Sequence, residues 1–321
     1  PAAAGADDCP ALGLLQRAAS HAGRAPGRLP AAAGEGWPRP LNGRCLPIAW
    51  LHVPKCGSSF INALVRVPES CYGLPEDLEV SATSFGELHL SRFWLTFPLN
   101  CPNRFVTAGG HSGTGSNSSR NYERLWKGHG VTVLRQPEQR ILSAFHDQCH
   151  SWPVERLGSP PDDPVKFAQV VQGCAAKMLT RAGNSHRAGK RSGLGALGRH
   201  WGGPCGDPAP PTGEELELAK RRLRQDFPFV GIQEKWELSM CLFHATFGGS
   251  CHPAEFLNSR HAASGQSNSY DVAVLRGFRD VHDGELYAEA ERLFDERMRR
   301  YNVSVEACQP CFREAGVNFT G

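Results

Sequence analysis

The sequence predicts an α/β fold with a central, mostly parallel sheet flanked by helices. Short apolar runs of strand character recur along the chain, each run leads into a stretch whose apolar residues fall at helical spacing, and no internal repeat interrupts the alternation. The first run, residues 48–53, is apolar except for His52 and reads as a buried strand; after Ser59 the chain carries Phe60, Ala63 and Leu64 at helical spacing. Residues 104–108 and 131–134 are the second and third strands, and the third is followed by a helix with Ile141, Leu142 and Phe145 on one face. Thr212 and Glu215 form a capping-box pattern ahead of a helix carrying Leu216, Ala219 and Leu223. Residues 229–232 are the fourth strand, leading into a helix with Trp236, Met240, Phe243 and Phe247 on one face. A last helix presents Leu286, Ala290, Leu293 and Met298, with Asp283 expected as its cap.

Around this domain, residues 45–321, the texture changes twice. Residues 1–44 are rich in Ala, Gly and Pro without a sustained apolar period, and are expected to be a flexible leader or stem. Residues 183–213 are rich in Gly and Pro and carry Arg187, Lys190, Arg191 and Arg199 against Asp207, which predicts a long basic surface loop.

Composition narrows the function classes. With 40% hydrophobic and 21% charged residues in 321, wholesale disorder and fibrous architectures are excluded. No apolar run approaches the roughly 20 residues that span a bilayer. A chain that begins at Pro1 without an initiator methionine is expected to be a fragment, which leaves room for a membrane anchor ahead of it. The formal charge of +3 is too small to imply a nucleic-acid partner, so any anion site must be local. Twelve cysteines, together with sequons at Asn117, Asn302 and Asn318, point to an oxidising secretory lumen. Pairing does not follow from spacing, although Cys56 sits in a loop where a free thiol is expected.

The chemistry concentrates at two loops. Val53-Pro54-Lys55-Cys56-Gly57-Ser58-Ser59-Phe60 lies between strand and helix. Gly57 permits a tight turn, the N–H groups of Ser58, Ser59 and Phe60 are expected to converge at a helix N-terminus, and Lys55 adds a full positive charge. Such a nest suits phosphate. It is not a Walker A loop, because the lysine precedes the glycine. Downstream, Val131-Thr132-Val133-Leu134-Arg135-Gln136-Pro137 puts Arg135 at a strand end, and Pro137 starts a helix that carries Ser143.

Together these loops resemble the sulfotransferases that use 3′-phosphoadenosine 5′-phosphosulfate (PAPS), notably the Golgi heparan sulfate 2-O- and 6-O-sulfotransferases. His52 through Phe60 is similar to their His-x-Pro-Lys-Thr-Gly run, with Cys56 where threonine is usual. Arg135 and Ser143 are similar to their Leu-Arg-Asp-Pro segment with its helical serine, with Gln136 in place of the aspartate. Segments ending in Lys177-Met178-Leu179, around Phe229 to Glu234, and from Leu286 to Phe294 extend the likeness over about residues 48–301. The resemblance implies a P-loop-like sulfotransferase fold, PAPS as donor and PAP as product. It implies Lys55, Cys56, Gly57, Ser58, Ser59 and Phe60 at the 5′ phosphosulfate, and Arg135 and Ser143 at the 3′ phosphate. It also implies a Golgi or other secretory lumen, a type II anchor in the full-length protein, and an acceptor that is a glycan or small molecule.

Sulfuryl transfer needs a base for the acceptor proton and a cation for the leaving phosphate. Lys55 is the expected cation. His111 is the expected base, since it follows the strand at 104–108 through Gly109-Gly110 at the sheet's carboxyl edge, and related enzymes place a histidine in a comparable Gly-His stretch. His52 more simply fixes its strand, and His146 and His150 share a helix face. Arg181, Arg187, Lys190 and Arg191, with His200, are expected to line an acceptor cleft for anionic groups. Cys308 and Cys311 form a C-x-x-C without a second pair, which favours disulfides or thiols over zinc, and no metal is expected. Two alternatives stand beside this reading. A P-loop-type nucleotide kinase needs a lysine after its glycines and acidic magnesium ligands, and a noncatalytic glycan-binding relative need not keep Lys55 and His111.

Overall fold

The computed structural model describes residues 48–68, 70–80, 93, 113–114, 122–123, 125–146, 162–181, 204–257 and 269–321, and the backbone of 106–107. The leader at 1–44, His111, Arg187, Lys190, Arg191 and His200 lie outside these residues.

Four strands form one sheet: β1 (Ala49–Trp50), β2 (Val106–Thr107), β3 (Gly130–Leu134) and β4 (Phe229–Ile232). Their order is β2-β1-β3-β4, and every pairing is parallel. Ala49 registers with Val106 on one side and Gly130 on the other, and Val131 with Phe229. β3 and β4 are buried along their whole length, as parallel strands covered on both faces must be. The chain runs from β1 outward to β2 and then crosses to β3 on the opposite side. The direction of winding therefore changes between β1 and β3, and the loops leaving those two carboxyl ends diverge from a single crevice.

The helices are α1 (Ile61–Leu64), α2 (Pro137–His146), α3 (Pro164–Val171), α4 (Cys174–Thr180), α5 (Gly213–Asp226), α6 (Trp236–Phe247), α7 (Pro253–Phe256), α8 (Val281–Arg300) and α9 (Gln309–Glu314). α6 and α8 both pack on β4. Phe60, Phe229 and Phe243 stack and abut at 4.9 to 5.5 Å between ring centroids, joining the first loop, the sheet and α6 in one core. Ile141, Leu142 and Ala144 of α2 form a second cluster with α3 and Leu275.

The capping box ahead of α5 forms as its sequence predicts, with Glu215 N–H on the Thr212 hydroxyl and the Glu215 carboxylate on Thr212 N–H. The expectation for α8 is corrected. Its cap is Asp280, whose carboxylate accepts Asp283 N–H, while Asp283 reaches across to accept Ala175 N–H and Ala176 N–H at the start of α4. Arg140 of α2, only 1% exposed, lies 3.3 Å from Asp283 and 3.6 Å from Asp280. One buried guanidinium thus neutralises the carboxylates that cap two helices.

Three disulfides join described residues: Cys174–Cys205, Cys241–Cys308 and Cys251–Cys311. Both cysteines of the C-x-x-C are therefore bridged, each to a different partner. Closing loops of 31, 67 and 60 residues, such bonds stabilise by about 4 kcal/mol each in the chain-entropy account. They belong to an oxidising, secretory-type environment. No helix among the described residues is long and apolar enough to cross a membrane.

The predicted basic loop is described only over residues 204–213. Residues 204–213 are fastened to the core by Cys205, by Lys177 Nζ on the Asp207 carbonyl at 2.6 Å, and by Arg181.

Candidate anion-binding site at the sheet switch point

The first loop leaves β1 in parallel with β3, held by Leu51 N–H on the Val131 carbonyl and the Thr132 hydroxyl on the Leu51 carbonyl, both 2.9 Å. Two residues of the loop adopt left-handed backbone, Lys55 with φ 65° and Gly57 with φ 77°. For glycine this costs nothing; for a lysine it is a strained conformation kept only where the surroundings impose it. Gly57 is required twice over, because a methyl group there would overlap Cζ3 of Trp236. Trp236 is anchored in turn by its indole N–H on the Glu255 carbonyl at 2.9 Å.

The turn Ser58–Phe60 is a 3-10 helix running into α1, and both serines are buried. The expectation for Phe60 is corrected on two counts. Its N–H donates to the Gly57 carbonyl at 3.2 Å to close the 3-10 turn, and its side chain is wholly buried among Trp50, Phe229 and Phe243. Phe60 anchors the loop and does not line it. Cys56 is a free, buried cysteine, as expected from its loop. Burial pushes its thiol up to about 12, against the opposing pull of Arg140 and Arg135. It is a small packed side chain with no nucleophilic character near neutrality.

From the neighbouring strand, Arg135 enters the same crevice. Its guanidinium is buried, with Nη1 3.4 Å from the Lys55 carbonyl and the fork lying over the Tyr270 ring at 5.7 Å. Burial lowers its pKa from the ordinary arginine value, and the residue remains a cation. Two loops whose anchors are 80 residues apart are thus brought into direct contact at the switch point. The Gln136 side-chain carbonyl accepts Gln139 N–H at 2.7 Å, capping α2, and Pro137 takes the first helical position. Its own N–H donates to Glu234 Oε1 at 2.9 Å, and Glu234 Oε2 accepts the Tyr287 hydroxyl. Ser143 is buried on α2, one turn beyond Arg140.

For the expected base, the flanking chain is fixed on both sides. β2 ends at Thr107 beside β1, and Thr114 is fastened to the end of α4 by its N–H on the Met178 carbonyl and its hydroxyl on the Leu179 carbonyl, both 2.7 Å. Gly113 is pressed against the carbonyls of Arg181 and Met178, with no room for a side chain. His52 stacks on Trp50 at 4.4 Å and braces its strand.

The acceptor role expected for Arg181 is corrected. Its fork pairs with both oxygens of Glu215 at 2.7 Å, with Asp207 at 3.0 Å, and with the carbonyls of Ala209 and Pro210. All of its directional hydrogen bonds serve to hold residues 207–215 against α4.

Four contributors to this site were not singled out by sequence for a site role: Trp236 as the wall behind Gly57, Gln136 as a cap, Tyr270 under Arg135, and Arg140, whose charge acts on the Cys56 thiol. Tyr270 pairs with Gln139 through both its N–H and its carbonyl, and its ring stacks on His146 at 5.2 Å. The sequence signal available was the position of Gln136 directly before the helix-starting proline.

The residues that meet at the switch point are the lysine and glycine of the first loop and the arginine that ends β3. This chemistry fits a phosphorylated ligand and offers little to a bare metal ion. No protein-family model, curated protein or solved structure matches the chain.

Proposed function

We propose that this chain is a PAPS-dependent sulfotransferase of the secretory pathway, acting in the Golgi lumen on a hydroxyl or amine of a carbohydrate acceptor. The single observation that carries the proposal is the contact between the Lys55 loop and Arg135 at the β1/β3 switch point. In this reading the two cations serve the two anionic ends of one nucleotide from adjacent strand ends. The kinase alternative is disfavoured because Lys55 precedes Gly57 and the loop lacks the Walker arrangement. A noncatalytic relative is expected to have lost the lysine or the base, and Lys55 and His111 are both present in the sequence.

In this reading Lys55 and the backbone of residues 57–59 hold the 5′ phosphosulfate, with Phe60 fixing the turn from below. Arg135 and Ser143 hold the 3′ phosphate. Bound PAPS supplies the sulfuryl group. His111 takes the acceptor proton as the acceptor atom bonds to sulfur, the bond from sulfur to the 5′ phosphate oxygen breaks, and Lys55 offsets the charge left on that oxygen. No covalent enzyme intermediate is involved.

The test is transfer of labelled sulfate from PAPS to a panel of glycans. Wild type labels at least one acceptor, and His111→Ala loses turnover while keeping nucleotide affinity. Full activity in His111→Ala removes that residue as base, and transfer of phosphate from ATP with no sulfate transfer overturns the proposal.

A further inference from the structure

Away from the crevice, α6, α7 and the segment between them enclose a second chemical cluster. His244 is 6% exposed, Cys251 6% and Glu255 0%. One ligand atom from each lies within 4.8 Å of the other two. His244 Nε2 is 2.8 Å from Glu255 Oε2, and Nδ1 is 3.2 Å from the Gly248 carbonyl. A carbonyl only accepts, so Nδ1 carries its hydrogen and Nε2 of the neutral ring turns a lone pair toward the carboxylate. Two lone-pair atoms at that distance need a cation between them, and a proton is the smallest that serves. Backbone anchoring of the far ring nitrogen is also the arrangement that orients metal-binding histidines.

Glu255 Oε1 supplies a second pointer. It is buried and has no hydrogen-bond partner among the described residues. An orphaned buried carboxylate oxygen is an unspent donor to a cation. The third atom, Cys251 Sγ, is held in the disulfide to Cys311 and in that form is a poor ligand.

We infer that His244, Glu255 and Cys251 form a latent site for a zinc-like divalent cation, masked by the Cys251–Cys311 disulfide and opened when a dithiol reductant cleaves it. The dithiol gives two electrons and two protons, the sulfur–sulfur bond becomes two thiols, and the reductant leaves as its own disulfide. On metal binding the Cys251 thiol releases its proton, and the proton shared by His244 and Glu255 is displaced as well. Cys311 begins at bonding distance from Cys251 and is the nearest source of a fourth ligand.

Cys311→Ala tests this without any reductant, since it frees Cys251 and leaves Cys241–Cys308 to tether the same segment. Cobalt(II) titration of the folded variant is expected to show one ion per chain with a thiolate-to-cobalt absorption band. Affinity should be at least tenfold above the disulfide-bonded parent, and at least tenfold lower again in Cys311→Ala with Glu255→Gln. A folded Cys311→Ala that binds cobalt no better than the parent, or binding indifferent to Glu255→Gln, overturns the inference. If Cys311→Ala is unfolded alone, zinc titration followed by far-UV circular dichroism decides: refolding supports the site, and a chain still unfolded at saturating zinc overturns it.

Discussion

Trp236 presses its ring against Gly57, with Cη2 3.0 Å from where a side chain on that glycine would begin. A residue from the start of α6 therefore dictates the sequence of a loop on β1, and the left-handed φ of 77° reinforces the demand. Gly57→Ala should destabilise the protein by about 1–3 kcal/mol through backbone strain and overpacking, and weaken nucleotide binding because the turn must open. Urea unfolding checks the first effect and calorimetry the second. Unchanged stability would mean that the loop moves freely away from Trp236.

In the proposed function Arg135 holds the phosphate that distinguishes PAPS from common nucleotides. Loss of a charge-assisted hydrogen bond costs about 1.5–3 kcal/mol, or roughly ten- to a hundredfold in affinity. Arg135→Ala should therefore weaken adenosine 3′,5′-bisphosphate by at least tenfold while AMP changes little. Equal losses for both ligands would remove Arg135 from the 3′ site.

The Cys56 thiol, raised to about 12 by burial, is the wrong species for chemistry at pH 8. Its thiolate fraction there is roughly one part in ten thousand. Iodoacetamide should leave Cys56 unmodified in the native protein over hours and alkylate it within minutes in urea, as read by peptide mass spectrometry. Rapid native labelling at Cys56 would show an accessible loop and contradict its packed role.

Lys177 is fully buried, and burial lowers its pKa to about 8. Its unfolded value is near 10.5. Between those values the unfolded chain holds more protons than the folded one, so this lysine makes stability rise with pH from about 8 to 10.5. The contribution is of the order of 3 kcal/mol across the window. Lys177→Met should flatten that rise, as urea midpoints at pH 7.5, 9 and 10.5 would record. An identical pH profile in the variant would assign the charge change to other groups.

Strand β4 and the capping box of α5 were legible residue for residue, because an apolar β-branched run and a Thr-x-x-Glu pattern are local signals. The Lys55 loop and the Arg135 segment were legible as local structure for the same reason, each being a strand end followed by a helix start. What was not legible was every relationship between distant segments. Asp283 has the spacing of a cap for its own helix, yet it spends its carboxylate on α4, and Asp280 takes its place. Arg181 looks like one more cation in a basic stretch, and only the fold brings Glu215 and Asp207 around it. Cys308 and Cys311 read as a pair, but they are bridged separately to Cys241 and Cys251. His244 and Glu255 carry no pattern at all, since their meeting depends on how α7 folds back on α6.

The central claim is that the Lys55 loop and Arg135 together bind a 3′-phosphorylated adenine nucleotide. Calorimetric titration with adenosine 3′,5′-bisphosphate, beside AMP and magnesium ATP, tests it without knowledge of the acceptor. The account predicts one bisphosphate per chain, bound at least tenfold more tightly than either rival; preference for magnesium ATP, or no binding of the bisphosphate, would contradict it.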